Sequence, residues 1–219
     1  MSISHNLATI KASLPKEVTL VAVSKTKPII DVMEAYHAGQ RIFGENKVQE
    51  MVDKFNQMPK DIEWHMIGHL QRNKVKYIAG FVSLIHAVDS ERLLIEIDRQ
   101  GLKNDRRINC LLQLKIAKED HKFGMDYSDA KGLLNSDRLN NLKHVNIVGL
   151  MGMATFTSDM SVVKSEFTFL KSCYDELKDQ GHQLHILSMG MSGDYPIAIE
   201  NGSSMVRIGS HIFGARNYS

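Results

Sequence analysis

Chemistry in this sequence is most readily read from a lysine placed where an apolar strand gives way to a helix. Lys25 lies within Ala22-Val23-Ser24-Lys25-Thr26-Lys27-Pro28. Residues 18–23 are nearly all apolar, the pattern of a parallel strand covered on both faces. Pro28 suits the first position of a helix. A lysine between the two reaches into the space at the carboxyl ends of the strands. Partial desolvation there favours the neutral amine that condensation with an aldehyde requires. A solvated lysine after a strand is the plain alternative, and position alone favours it.

Two later stretches suggest a second chemistry. Ser188-Met189-Gly190-Met191-Ser192-Gly193 and Arg207-Ile208-Gly209-Ser210 both follow apolar runs. Their small residues let backbone N–H groups approach an oxyanion, and the serine hydroxyls add donors. Helices beginning near Asp194 and after Ser210 would favour negative charge. Tight turns explain either cluster taken alone. The pair, on neighbouring strand ends, points to phosphate. Arg207 is either half of a structural ion pair or a fixed cationic donor aimed at a ring nitrogen or an anion.

Other constellations carry less. His65 and His69 are four apart, but a strand end and Gly68 intervene and no HExxH occurs, so no metal site is expected. Ser192, His185 and Asp194 lack the GxSxG of a nucleophile elbow. Cys110 sits mid-strand, which argues against a nucleophile. Met66, Met151, Met153, Met189 and Met191 read as core filler, with Met189 and Met191 also placed to line a pocket mouth.

The elements that must position these residues follow from periodicity. Ile3, Leu7, Ile10 and Leu14 recur at helical spacing, so an amphipathic helix precedes the first strand. Strands are predicted at 18–24, 41–44, 63–67, 82–88, 108–114, 145–150, 184–187 and 205–208. The helices between them carry Ile29, Val32, Met33 and Tyr36; then Val48, Met51, Val52 and Phe55; then 71–79, 90–101 and 126–135. A long helix follows through Val163, Phe167, Leu170, Tyr174 and Leu177, and a short one runs from about Asp194 to near Gly202. Strict alternation implies a parallel sheet. Eight units predict an α/β fold in one domain over residues 1–219, a single (β/α)8 TIM-type barrel with an extra N-terminal helix. An open doubly wound sheet is the main rival.

Composition excludes several classes. The chain has 219 residues, 43% hydrophobic and 24% charged, as expected of a globular protein with a substantial core. A net charge of +2 leaves no nucleic-acid footprint. Arg72, Lys74 and Lys76 read as a solvated helix face. Cys110 and Cys173 lie far apart in apolar contexts and read as reduced core residues. No run approaches the length of a signal peptide or a membrane span. The expected setting is cytoplasmic, with no membrane and no nucleic-acid partner.

Five blocks carry a family resemblance: AVSKTKP at 22–28, FGENKVQE at 43–50, WHMIGHLQRNK at 64–74, SMGMSGDYPIAIENG at 188–202 and MVRIGSHIFGAR at 205–216. In this order they resemble the pyridoxal 5′-phosphate homeostasis proteins, the YggS/PROSC-type family, from near Val18 to the C-terminus. The resemblance implies a barrel like the N-terminal domain of alanine racemase. It implies that Lys25 holds pyridoxal 5′-phosphate as an internal aldimine. It further implies that Ser192, Gly209 and Ser210 hold the phosphate with Ser188 close by, that Arg207 meets the pyridine nitrogen, and that Asn46 lines the pocket. Lys47 stands where the family usually has tyrosine, and Gly152-Met153-Ala154 departs from its commoner residues.

The resemblance also bears on turnover. An arginine does not readily give its proton to the pyridine nitrogen, so the ring stays a weak electron sink. Racemases work with that arrangement but need an acid–base group on each face of the substrate. In alanine racemase one of these is a tyrosine delivered by a second domain and the opposite subunit, whereas this sequence ends soon after its last barrel unit. The expectation is a non-enzymatic protein of vitamin B6 homeostasis with no catalytic residues. Apo-forms of pyridoxal-phosphate enzymes would be its candidate partners. A racemase of narrow scope and a cofactor-free Schiff-base lyase are the alternatives.

Overall fold

The computed structural model describes residues 2–117 and 123–214. Ala215 and Arg216, at the end of the last family-like block, lie outside the described residues. In chain order the elements begin α1 (Ile3–Ser13), β1 (Thr19–Val23), α2 (Ile29–His37), β2 (Ile42–Glu45), α3 (Val48–Gln57) and β3 (Glu63–Met66). A 3-10 helix (Arg72–Tyr77) leads to β4 (Leu84–Val88), α4 (Glu91–Lys103), β5 (Ile108–Gln113), α5 (Tyr127–Leu134) and α6 (Asp137–Asn140). Then come β6 (Val145–Met151), α7 (Met160–Asp179), β7 (Ile186–Met191), α8 (Tyr195–Glu200), β8 (Met205–Ile208) and α9 (Ser210–Phe213). The strands close as a barrel in sequence order, β1 to β8, every pair parallel. This is the predicted (β/α)8 barrel, with α1 as its extra helix.

Alternation along each strand divides the core in two. Val21, Leu84, Leu111, Met151 and Met205 cluster inside the barrel, joined by Val148, which the register shift between β5 and β6 leaves unpaired. Residues of the opposite parity, such as Leu20, Ala22, Phe43, Trp64, Ile85, Leu112, Leu150 and Ile208, pack outward against the helices. Local signals fix the helix ends. Ser2 caps α1 by accepting from the His5 N–H. Beyond α2 the chain reverses at Gly39, whose φ of +87° suits glycine. The Asn6 amide donates to the Ile212 carbonyl, tying α1 to α9. Among the described residues no helix is long and apolar enough to cross a membrane.

Besides the short α6, which the periodicity does not show, two elements differ from expectation. The segment at 71–79 winds as a short 3-10 helix rather than an α-helix. Only Val75, Ile78 and Ala79 in it are buried, too few for a two-turn apolar face, and Arg72, Lys74 and Lys76 are exposed. The seventh strand, predicted to stop at Leu187, runs on to Met191. Gly190, with φ at +96°, absorbs a bulge that shifts the β8 pairing between Ser188↔Met205 and Met191↔Arg207. A Cβ at Gly190 would lie 2.6 Å from the Cβ of Ala198, so only glycine lets α8 close over this bulge.

Candidate functional site

Strand register brings the residues singled out above to one rim. β1 pairs with β2 through Val23↔Gly44 and with β8 through Val21↔Arg207 and Ala22↔Ile208. Lys25 and Asn46 therefore stand level, each two residues past the Val23–Gly44 pair. Period two sets the inward side of β1 at Val21 and Val23, that of β2 at Gly44, and that of β8 at Met205 and Arg207, and Lys25 and Asn46 follow in the turn and the bend at the ends of β1 and β2. Lys25 and Asn46 are both half-buried. Gly209 continues β8 so close to β1 that a Cβ there would lie 3.1 Å from the Val23 carbonyl oxygen. Its N–H donates to Ser192 Oγ at 3.3 Å, which ties the β7 and β8 loops together. Ser210 opens α9, exposed at the mouth. Gly68 sets the far side, since a Cβ there would strike the Asn46 carbonyl at 2.5 Å. Lys25, Asn46, Ser192, Gly209 and Ser210 thus lie on the adjoining ends of β7, β8, β1 and β2.

Arg207 is 4% exposed and lies beneath this rim. Its Nη1 donates to the Ser188 carbonyl at 2.9 Å and to Ser188 Oγ at 2.6 Å, and Nη2 donates to the Gly152 carbonyl at 3.2 Å. Ser188, expected in a loop, is a fully buried strand residue that anchors the arginine. Its hydroxyl also meets His86 Nδ1 at 3.1 Å, and His86 Nε2 meets His65 Nδ1 at 3.1 Å. One assignment accounts for all of these contacts. Arg207 donates to Ser188, Ser188 to His86, and His86 to His65, with both imidazoles neutral. Burial drives the same way. Desolvation lowers His65 to about 3. It holds His86 well below its ordinary value, with His65 and Arg207 adding to the effect. Arg207 is lowered to about 10 by desolvation and still carries its charge at neutral pH.

A second network backs the rim from outside the barrel wall. Glu45 and Ser24 have the parity opposite to Gly44 and Val23. Ser24 Oγ donates to Glu45 Oε1 at 2.6 Å. Lys54, buried on α3, donates to Glu45 Oε1 and to the Ser24 carbonyl, each at 2.7 Å, and to Glu50 Oε1 at 2.8 Å. Glu50 Oε1 also accepts the Thr26 N–H at 2.6 Å. Burial raises Glu45 to about 7 despite the pull of Lys54 and Ser24 in the other direction.

The donor set suits a phosphorylated aromatic aldehyde. An amine stands at the rim, two serine hydroxyls and a glycine turn sit on adjacent strand ends, and a buried guanidinium lies below. Arg207 makes no hydrogen bond through Nε or its second Nη2 hydrogen among the described residues, so donors remain for a ring nitrogen.

The sequence matches the family described as alanine racemase, N-terminal domain, over residues 1–217. The pyridoxal phosphate homeostasis protein of Pasteurella multocida is 38% identical over 100% of this chain and 100% of its own length. The chain belongs to the pyridoxal phosphate homeostasis protein family. The structure of PipY from Synechococcus elongatus, solved with PLP bound, superposes with a TM-score of 0.89 at 36% identity, covering 97% of this chain and 100% of PipY. Alanine racemase of Clostridium difficile 630 shares the fold, with a TM-score of 0.80 at 13% identity over 100% of this chain and 58% of its own.

Within this homeostasis-family chain the residues that depart from the family pattern border the site. Lys47 is exposed and precedes α3. Gly152 supplies only its carbonyl to Arg207. His69, weighed above with His65, pairs instead with Asp89 at 3.1 Å and stacks on Phe123. No cluster fit to hold a metal occurs among the described residues. Sequence reasoning missed His86, Glu45, Glu50 and Lys54. His86 is 21 positions from His65, and only the adjacency of β3 and β4 joins them.

Proposed function

We propose that this chain holds pyridoxal 5′-phosphate as an imine on Lys25 and serves the supply of that cofactor rather than a reaction of its own. The observation that carries the reading is that Lys25, in the turn that follows β1, shares a rim with Ser192, Gly209 and Ser210, with Arg207 on the inward side of the adjacent strand β8. In it, Ser192 Oγ, Ser210 Oγ and the turn at Gly209 take the phosphate. Arg207, fixed by Ser188 and Gly152, donates to the pyridine nitrogen, and Asn46 borders the ring. The relatives' names and the PLP held by PipY support the choice of ligand.

Bound pyridoxal phosphate supplies an electrophilic aldehyde and an electron sink whose strength depends on the partner of its ring nitrogen. Here that partner is a guanidinium still protonated at neutral pH, which keeps the sink weak. The imidazoles beneath it are neutral and committed to each other and to Ser188, so neither is a ready acid or base. These features favour binding over turnover. Recipients of the cofactor would be apo-forms of pyridoxal-phosphate enzymes, in the cytoplasm, a setting that suits the two free buried cysteines.

The test uses purified protein loaded with pyridoxal phosphate. Incubated with single amino acids, it should show neither change of chirality nor solvent-deuterium uptake at Cα, and it should reactivate a cofactor-free enzyme. Racemisation of any amino acid at an ordinary enzymic rate would replace this reading with the racemase one.

A further inference from the structure

Lys25 is flanked by two peptide units, and each is gripped by the same cluster behind the barrel wall. The carbonyl of Ser24, in the unit before Lys25, accepts from Lys54 Nζ at 2.7 Å. The N–H of Thr26, in the unit after it, donates to Glu50 Oε1 at 2.6 Å. Two fixed peptide planes define φ and ψ of the residue between them. Lys54 joins the two grips, because its ammonium also bonds Glu50 Oε1 and Glu45 Oε1. Three N–H donors thus meet three acceptors, which uses the group's whole capacity. Glu45 is in turn bonded by the Ser24 hydroxyl. Thr26 itself has φ at +64°, a left-handed conformation that a β-branched residue holds only when its surroundings impose it.

We infer that Lys54 and Glu50, braced by Glu45, are positioning residues that set the backbone of Lys25 so that its amine meets the aldehyde of the bound ligand. This rests on the cofactor reading above. The step they serve is a condensation. Lys25 Nζ attacks the aldehyde carbon, a C=N bond forms, the aldehyde oxygen leaves as water, and no oxidant or reductant takes part. Neither Lys54 nor Glu50 touches the ligand. Both stand on α3, outside the wall, whereas the phosphate-binding loops follow β7 and β8. Loss of the grip should therefore weaken imine formation and leave the phosphate-binding part of the affinity in place.

Two ligands separate these terms. Pyridoxal 5′-phosphate can form the imine. Pyridoxine 5′-phosphate has an alcohol where the aldehyde stands and reports binding without condensation. Glu50→Ala releases the Thr26 N–H and should weaken pyridoxal phosphate binding about tenfold, equal to about 1.4 kcal/mol. Its affinity for pyridoxine phosphate should stay within twofold of the parent. Glu50→Asp, which keeps the charge but draws the oxygen back by one methylene, should show the same split and stands in where the alanine variant does not fold. Glu50→Gln keeps an acceptor of the same length and should retain near-parental imine formation. The inference is overturned if Glu50→Ala and Glu50→Asp bind both ligands like the parent. Equal loss of both ligands overturns it too, as does a glutamine variant no better than alanine. A parent chain that forms no imine on Lys25 overturns the cofactor reading itself, a result distinct from all of these.

Discussion

The buried pair His65–His86 makes a specific demand on acid stability. Both imidazoles are neutral in the fold, His65 lowered to about 3 and His86 well below its ordinary value, chiefly by desolvation. In the unfolded chain each titrates near 6.5. Below that pH the unfolded state binds more protons than the native one, so stability falls as pH falls. His65 then removes about 2 kcal/mol between pH 6.5 and 4.5, and His86 lowers stability in the same direction. Glu45 acts with the opposite sign. Its folded value is raised to about 7 from 4.5, so the native state holds the extra proton across this window. Its penalty at neutral pH is relieved on acidification, which returns about 2 kcal/mol over the same interval. Glu45 thus offsets His65, and His86 leaves a net loss of stability, each kcal/mol of which lowers Tm by roughly 2–4 °C in a chain of this size. Thermal unfolding of cofactor-free protein at pH 6.5, 5.5 and 4.5 reads it directly. His65→Gln removes one histidine and should make the profile shallower, whereas Glu45→Gln should make it steeper. A parent with a flat profile, or a His65→Gln variant falling as steeply as the parent, would refute the assignment of two neutral buried imidazoles.

Other variants probe the rim. Ser210→Asp sets a carboxylate against the phosphate, and like charges about 4 Å apart repel by about 4 kcal/mol at an effective dielectric near 20, roughly a thousandfold in affinity. Ser210→Ala should cost only about 1 kcal/mol, and equal, parental binding by both variants in an absorbance titration would place the phosphate elsewhere. Gly68→Ala drives a Cβ to 2.5 Å from the Asn46 carbonyl. Overpacking of this kind costs about 1–3 kcal/mol, so Tm should fall and pyridoxal phosphate binding weaken together, and a variant unchanged in both would show that Asn46 is not held by this contact. The loaded protein should turn over no amino acid at the roughly 1 s⁻¹ or more usual for enzymes, as followed by chirality and deuterium uptake.

Legibility in the sequence tracked the range of the interaction. The alternation of apolar strand runs with helical periodicity was enough to predict the barrel and to put Lys25 at the end of β1, because both are local patterns. Ser192, Gly209 and Ser210 stood out through small-residue turns after strands, and the structure ties the first two together by a hydrogen bond. Ser188 reads as a loop residue because the apolar run ends at Leu187. In the fold Gly190 makes a bulge, and the strand continues across it. Lys54 was illegible for a different reason. On an amphipathic helix a lysine reads as solvent-facing, and only the packing of α3 over the ends of β1 and β2 buries it on Glu45. His65 and His86 became a pair only through neighbouring strands.

The most direct test of the account is reduction of the loaded protein with borohydride, followed by peptide mapping. The account predicts a yellow protein whose visible band is lost on reduction, with one pyridoxyl group per chain, carried on Lys25. A label on Lys27 or Lys47, or a colourless protein with no labelled lysine, would contradict it.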